Sequence, residues 1–327
     1  MKIGVWKPHK YVGSVKIYYE NVKIYLQEWG VDIIEFGIND KLPNNVDFYW
    51  DPTCTDGKSP NKKFYATPKP IIATLHGAAS FSIKEASAGK NKIKYWLKMA
   101  KRKWLWIRFP KKNLSIITVS KYAEIEIKNH LPLKNVPFQP IYHGFNNTVF
   151  YADNAIPRAF LLHVSAYQKK KNVENIIEAY KNIPKEKKVP LVLVVPNFPP
   201  CEPIDGIEII RVKKSPDEIA ALMRKAIAFV FPSFHESFGM PLIEAMACGC
   251  PIITSNITAC PEIVDNAAIL VNPAKTSEIK NALLEVIDNP ILRADLSQKS
   301  IVRAANFSWE KTAKEHLAFF NKMNHLA

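Results

Sequence analysis

The chain has 327 residues, 47% hydrophobic and 23% charged, which excludes a disordered polymer and leaves room for two domains, each with its own core. Its 45 Lys and Arg against 30 Asp and Glu give a formal net charge of +15. Eleven of the basic residues and a single Glu fall within residues 84–112, so most of that charge is one local feature.

The chain opens with a strand-like run, Lys2–Trp6, and a loop holding Pro8 and Gly13. A helical pattern then places Tyr18, Val22, Tyr25, Leu26 and Trp29 on one face, and Gly30 ends it. Val31–Phe36, Val46–Trp50, Ile71–Leu75 and Ser115–Val119 read as further strands. Four prolines and Asn146-Asn147 punctuate 132–158, which places a linker within 145–158. The alternation restarts with strands at 160–165, 191–195, 207–212, 227–231, 251–254 and 268–271. Helices are predicted at 173–181, 216–224, 241–248, 261–265, 276–288, 290–305 and 308–322. Alternating strands and helices predict the α/β class, with two parallel-sheet domains.

No apolar stretch is long enough to span a membrane, and the start, MKIGVWKPHK, lacks the apolar core of a signal peptide. The cysteines Cys54, Cys201, Cys248, Cys250 and Cys260 are odd in number and form no CxxC pair. They predict neither a disulfide framework nor a metal site, and they suit a reducing cytoplasm.

Residues 235–250, HESFGMPLIEAMACGC, hold two glutamates eight positions apart in an otherwise apolar setting. Ile227–Phe231 is a strand apolar throughout, and the loop Pro232–Met240 leaves its carboxyl end, where open α/β sheets bind ligands. Pro241 suits the first turn of a helix, and Gly249 suits its left-handed cap. N–H groups near Phe238–Leu242 can meet an anion, while Glu236 and Glu244 can accept hydrogen bonds from hydroxyls. A nucleotide-sugar offers both: diphosphate in the middle, ribose and sugar at the ends. The plainer alternative has Glu244 capping its own helix and Glu236 solvated in a loop, and spacing leaves both open.

The stretch PSFHESFGMPLIEAMACGCPIITSN resembles the signature of glycosyltransferase family 4, of GT-B architecture. HVSAYQKKKNVENIIEAY, PEIVDNAAILVNP and FSWEKTAKEH resemble its other segments in the right order. The resemblance is close over 160–320 and loose over 1–150. It implies two Rossmann-like domains with a cleft between them: an acceptor domain at 1–150 and a donor domain at 151–307. A helix at 308–327 would pack back on the first. It implies that Glu236 contacts the sugar hydroxyls and Glu244 the ribose. Backbone at Phe238, Gly239 and Met240 would hold phosphate or sugar, and Lys171, with Lys170 and Lys169 as alternatives, would neutralise the diphosphate. The family is retaining and generally needs no metal, so no metal and no cofactor are expected, only a UDP- or GDP-linked sugar as substrate. One departure stands out: the family's Arg, five or six positions before that Lys, is Ser165 or Ala166 here.

His76 ends the strand Ile71–Leu75, and the family has a comparable histidine near the reacting centre; the plainer reading is a histidine bonded to a carbonyl. Gly13-Ser14 resembles the loop that approaches the donor phosphates, His143-Gly144 reads as a structural hinge, and Ser120 suits a helix N-cap. Within the basic segment, Ile93, Trp96, Leu97, Ala100, Trp104 and Ile107 recur at helical spacing among Lys94, Lys98, Lys101 and Arg102. That pattern predicts contact with an anionic membrane surface; the alternative packs the stripe into the domain. No motif supports nucleic acid as a partner.

The expected function is retaining transfer of a sugar from a nucleotide-sugar to an acceptor hydroxyl, with His76 and Glu236 catalytic. The acceptor would be a glycan or a lipid-linked glycan, in bacterial-type cell-surface polysaccharide or glycolipid synthesis, at the inner face of the membrane. The alternatives are a nucleotide-sugar epimerase or a catalytically weak nucleotide-binding partner. Oligomeric state is not encoded in any motif.

Overall fold

A computed structural model of the chain describes residues 1–8, 13–82, 92–153 and 155–324; the start of the basic segment, 84–91, lies outside the described residues. The chain divides into two compact units, Met1–Gly144 with Trp309–Ala327, and Phe145–Ser308. Each is built on a six-stranded, wholly parallel sheet.

In the first unit the strands are β1 (Lys2–Trp6), β2 (Asp32–Phe36), β3 (Phe48–Cys54), β4 (Ile71–Leu75), β5 (Leu114–Thr118) and β6 (Phe138–Pro140). Their spatial order is β2-β1-β3-β4-β5-β6. The helices are α1 (Gly13–Glu28), α2 (Ala79–Ser82), α3 (Lys92–Arg108), α4 (Lys121–His130) and, at the far end of the chain, α11 (Trp309–Asn324). Every residue of β4 and β5 is buried, as a parallel strand covered on both faces requires. Two features escaped the sequence reading. β6 is short and closes on Pro140, as suits a strand at the sheet edge. β3 runs through Pro52, and its register shifts between Asp51 and Cys54, where the missing N–H is tolerated.

A chain of hydrogen bonds ties α11 into this unit. Trp50 Nε1 donates to Thr74 Oγ1 at 3.0 Å, and Thr74 lies 3.0 Å from Tyr18 Oη. Tyr18 Oη lies 2.6 Å from His316 Nε2, while His316 Nδ1 lies 2.7 Å from the Thr312 carbonyl. Since a carbonyl only accepts, the proton sits on Nδ1, Nε2 accepts from Tyr18, and Thr74 donates to Tyr18. The network is satisfied only with neutral His316, and burial lowers that ring from 6.5 to about 4. A depressed folded pKa gives stability that is present above pH 6.5 and lost as pH falls toward 4. The shift corresponds to at most about 3 kcal/mol. In urea titrations, the stability of His316→Gln should therefore fall less between pH 6.5 and 4 than that of the parent; equal slopes would remove His316 from the network.

The second unit contains β7 (Phe160–Val164), α5 (Val173–Lys181), β8 (Leu191–Val194), β9 (Ile207–Ile210), α6 (Pro216–Lys225) and β10 (Ala226–Phe231). It continues with α7 (Met240–Ala247), β11 (Ile252–Ser255), α8 (Cys260–Val264), β12 (Ala268–Val271), α9 (Thr276–Asp288) and α10 (Pro290–Ala304). The order β12-β11-β10-β7-β8-β9 is that of a dinucleotide-binding doubly wound sheet. The chain reverses direction across the sheet between β7 and β10, so the loops after these two strands flank a topological switch point. All six residues of β10 are buried, and Ser215 caps α6 in a full capping box with Glu218.

Candidate active site

The loop after β7 carries Lys169–Lys171 as a single 3-10 turn that ends on Asn172. Asn172 is left-handed, φ 62°, and its buried side-chain amide donates to the carbonyls of Pro232 (2.9 Å) and Pro273 (2.7 Å). The N–H of Phe234 meets the Lys170 carbonyl at 2.8 Å. These bonds fasten the β7 loop to the β10 loop and present Lys171 toward Glu236.

Lys171 Nζ lies 2.6 Å from Glu236 Oε1 and 4.9 Å from the centre of the Phe231 ring. Lys169 is exposed and Lys170 half-buried, so of the three lysines it is Lys171 that the fold pairs with the glutamate. Glu236 is only 8% exposed, which overturns the solvated-loop reading. Burial alone would raise its carboxyl; the Lys171 ammonium and its hydrogen bond, with Lys170 and Ser233, hold it below the usual carboxylate range. Its backbone is clamped by residues the sequence did not single out: its N–H donates to Thr258 Oγ1 (3.2 Å), and its carbonyl accepts from Ala259 (3.2 Å). Thr258 has φ 61°, a costly conformation for a β-branched residue and one seen at functional sites.

Gly239 precedes α7 with φ 100°, and no side chain caps the helix, so Glu244 is not a cap. A side chain at Gly239 would come within 4.0 Å of Glu236 Cγ and 3.0 Å of Leu242, so glycine also keeps the approach narrow. The expected row of N–H groups at 238–242 is shorter than anticipated. The N–H of Leu242 bonds back to Gly239 at 2.9 Å, and Pro241 has none. Gly239 and Met240 remain as candidate donors at the helix start, and Phe238 is buried against Phe307. Gly249, φ 63°, closes the helix end as the sequence predicted. Glu244 sits one turn into α7, half-buried, and its carboxylate makes no hydrogen bond among the described residues. Burial raises its pKa to about 7.

Under the Lys171–Glu236 pair lies His163, which sequence reasoning missed. Its Nδ1 donates to the Val230 carbonyl (2.7 Å), so its Nε2 accepts from Ser165 Oγ (2.8 Å). Burial lowers its pKa to about 4, so it is neutral at pH 7. Ser165 therefore points into the core bridge and Ala166 is exposed; neither supplies the charge of an arginine. The cations acting on Glu236 are Lys171 and Lys170.

In the first unit, His76 follows β4 and stacks on His143, ring centres 5.7 Å apart. Its Nε2 donates to the Pro52 carbonyl (2.9 Å), as the plainer reading anticipated, which leaves Nδ1 as an acceptor. Burial lowers it to about 4. His143 is buried against Tyr18 and Trp309, and it precedes Gly144, where the first unit gives way to the second. Gly13 and Ser14 are not in a loop: they open α1, both exposed, and a side chain at Gly13 would meet nothing within 4 Å among the described residues. At the carboxyl ends of β1 and β3 lies a cavity of about 250 Å³ lined by Trp6, Asp51, Thr53, Lys58, Ser59 and Asn61. This is where the strand order of the first sheet reverses.

The basic helix corrects one expectation. Arg102 is not at the surface: it is 6% exposed, and its guanidinium donates to the Asp56 carbonyl (2.6 Å) and carboxylate (2.7 Å). The packing face of α3 is Tyr95, Met99, Arg102 and Trp106, whereas Lys94, Trp96, Lys98, Lys101 and Trp104 are exposed.

Comparison with known proteins gives these features a family context. Residues 158–289, which hold the whole Lys171–Glu236–Glu244 region, match the family model described as Glycosyl transferases group 1. An uncharacterized glycosyltransferase of Methanocaldococcus jannaschii is 31% identical over 248 residues, covering 74% of this chain and 65% of that protein. The chain spans between 21% and 65% of the length of the first curated relatives it matches. Among solved structures, a sucrose-phosphate synthase from Thermosynechococcus elongatus has a TM-score of 0.78 at 16% identity over 100% of both chains. Anabaena HepE, solved in complex with UDP-glucose, has a TM-score of 0.70 at 14% identity over 98% of this chain and 100% of its own. The chain thus has the α/β fold of GT-B glycosyltransferases and carries a Glycosyl transferases group 1 segment across its candidate site.

Proposed function

We propose that the protein is a glycosyltransferase that moves a sugar from a UDP- or GDP-linked donor to an acceptor hydroxyl, with retention of anomeric configuration. The observation that carries this reading is the pairing of half-buried Lys171 with buried Glu236 at the switch point, next to an uncapped helix start. A diphosphate arriving beside Lys171 would compete for its ammonium and release Glu236 to accept from sugar hydroxyls. The N–H groups of Gly239 and Met240, on the positive end of α7, would share the leaving charge. Glu244, a carboxylate without a hydrogen-bond partner among the described residues, would accept from the ribose hydroxyls. No step requires a metal or cofactor.

On the acceptor side, His76 Nδ1 is the group suited to orient a hydroxyl. The polar cavity around Asp51 and Asn61 is of a size for one sugar unit, and we assign it to the acceptor glycan. The exposed basic face of α3 supports peripheral contact with an anionic membrane, and hence a lipid-linked or membrane-proximal acceptor in cell-surface glycan synthesis. A thermal-shift panel of nucleotide-sugars, followed by transfer assays with anomeric analysis of the product, tests the reading. Inversion would exclude retention, and turnover of donor to an isomeric nucleotide-sugar without acceptor would mark an epimerase.

The inward-turned Ser165 favours one second reading, a nucleotide-binding partner with weak catalysis. Donor binding without transfer across a broad acceptor panel would establish it instead.

A further inference from the structure

From Ala86 to Ala123 the chain contains no acidic residue, and α3 lies in the middle of that stretch. Its outer face exposes Ile93 (74%), Leu97 (65%), Ile107 (62%), Trp96 (57%) and Trp104 (50%) among its lysines. Beside this face lies a cavity of about 340 Å³, lined among the described residues by Phe81, Tyr95, Trp96, Met99 and Ala100, with Lys103 and His130 at its side. Roughly 300 Å³ is the lower end of ligand-pocket sizes. Lys103 and His130 also line a second hollow, of about 480 Å³, together with Lys111, Lys128 and Lys134. Lys128 is paired with Glu124, whereas Lys103 and Lys134 have no carboxylate partner among the described residues.

We infer that these neighbouring hollows bind one anionic phospholipid drawn from a bilayer, its hydrocarbon chain in the apolar cavity and its phosphate on Lys103 and Lys134. This rests on the membrane contact proposed above and makes it specific. An apolar cavity that shares Lys103 and His130 with a neighbouring lysine-rimmed hollow fits a molecule with both parts. The occupant is a bilayer lipid because the cavity's wall is continuous with exposed Trp96, on the same helix as Leu97 and Trp104. A chain seated there would pass from one hydrocarbon medium into another.

The test uses the whole chain and follows tryptophan emission during titration with single-chain phosphatidylglycerols kept below their micelle concentration. Affinity should tighten roughly fourfold per added methylene, as chain burial requires. It should fall at least tenfold in Ala100→Trp, which fills the cavity from an exposed position, and in Lys103→Glu. Phosphatidylcholine counterparts and inorganic phosphate should bind at least tenfold more weakly. Affinity independent of chain length, equal binding of phosphate alone, or an indifferent Ala100→Trp would each overturn the proposal. Sedimentation with anionic vesicles separates the two ideas: vesicle binding without monomer binding discards the pocket alone, and loss of both discards the membrane reading as well.

Discussion

Lys171→Met is expected to lower kcat for glycosyl transfer by roughly a hundredfold to a thousandfold, the range seen when one preorganised charge-stabilising donor is removed. Lys171 is the cation held directly against Glu236, at 2.6 Å, and no arginine at Ser165 or Ala166 shares its work. The same substitution should destabilise the protein by up to about 3–5 kcal/mol, because it removes the cation hydrogen-bonded to the buried Glu236 carboxylate and leaves only Lys170 acting on it. The two effects separate in a double variant. Lys171→Met with Glu236→Gln should regain most of the thermal stability, since no charge is left stranded, while transfer stays lost. Wild-type turnover in either single variant would remove the pair from the mechanism. Recovery of activity alongside stability in the double variant would show that the pair is structural only.

The second large effect is on Glu244. Its pKa, raised to about 7, lies above the ordinary value of 4.5. The unfolded chain therefore releases this proton more readily than the folded one. The stability associated with protonated Glu244 is full below pH 4.5 and is lost as pH rises through 7. Glu244→Gln keeps the shape without the titration, so at pH 8 it should be more stable than the parent by up to about 3 kcal/mol. Below pH 4.5 the two should converge. Donor affinity should move the other way, because Gln is a weaker acceptor for ribose hydroxyls than a carboxylate. A nucleotide-sugar that hydrogen-bonds to the ionised form should also expel a proton near pH 6.5, readable as buffer-dependent heat in calorimetry. A variant that gains stability at pH 8 with unchanged donor affinity would confine Glu244 to a structural role.

Much of the architecture was legible because it rests on local pattern. β1, β4, α5, β12 and α9 run between the residues that strand runs and helical spacing predict. Gly249 closes α7 for a reason visible in one dimension: only glycine takes that φ without strain. The basic helix was legible as a helix but not in its orientation. Its apolar stripe, Ile93 to Ile107, suggested either burial or membrane contact, yet the core took the neighbouring face with Arg102 in it. The reason is Asp56, whose carboxylate and carbonyl compensate a buried guanidinium and whose approach no helical period reveals.

By itself the sequence determined an alternating α/β chain, a strand–loop–helix with two glutamates around a glycine turn, and a lysine run before Asn172. Periodicity, turn chemistry and short spacings are local, and the residues that create them are neighbours. The tertiary structure alone decided which lysine meets Glu236, because that choice depends on the Asn172 amide reaching Pro232 and Pro273 across the sheet. It alone decided that Ser165 turns inward to His163, that Thr258 holds Glu236, and that His316 accepts from Tyr18 at a separation of 298 residues. Hydrogen bonds and ion pairs of that reach are set by strand order and burial. The charge state of a carboxylate is set by what surrounds it, which is why Glu236 is held low and Glu244 is pushed up within one sixteen-residue stretch of sequence.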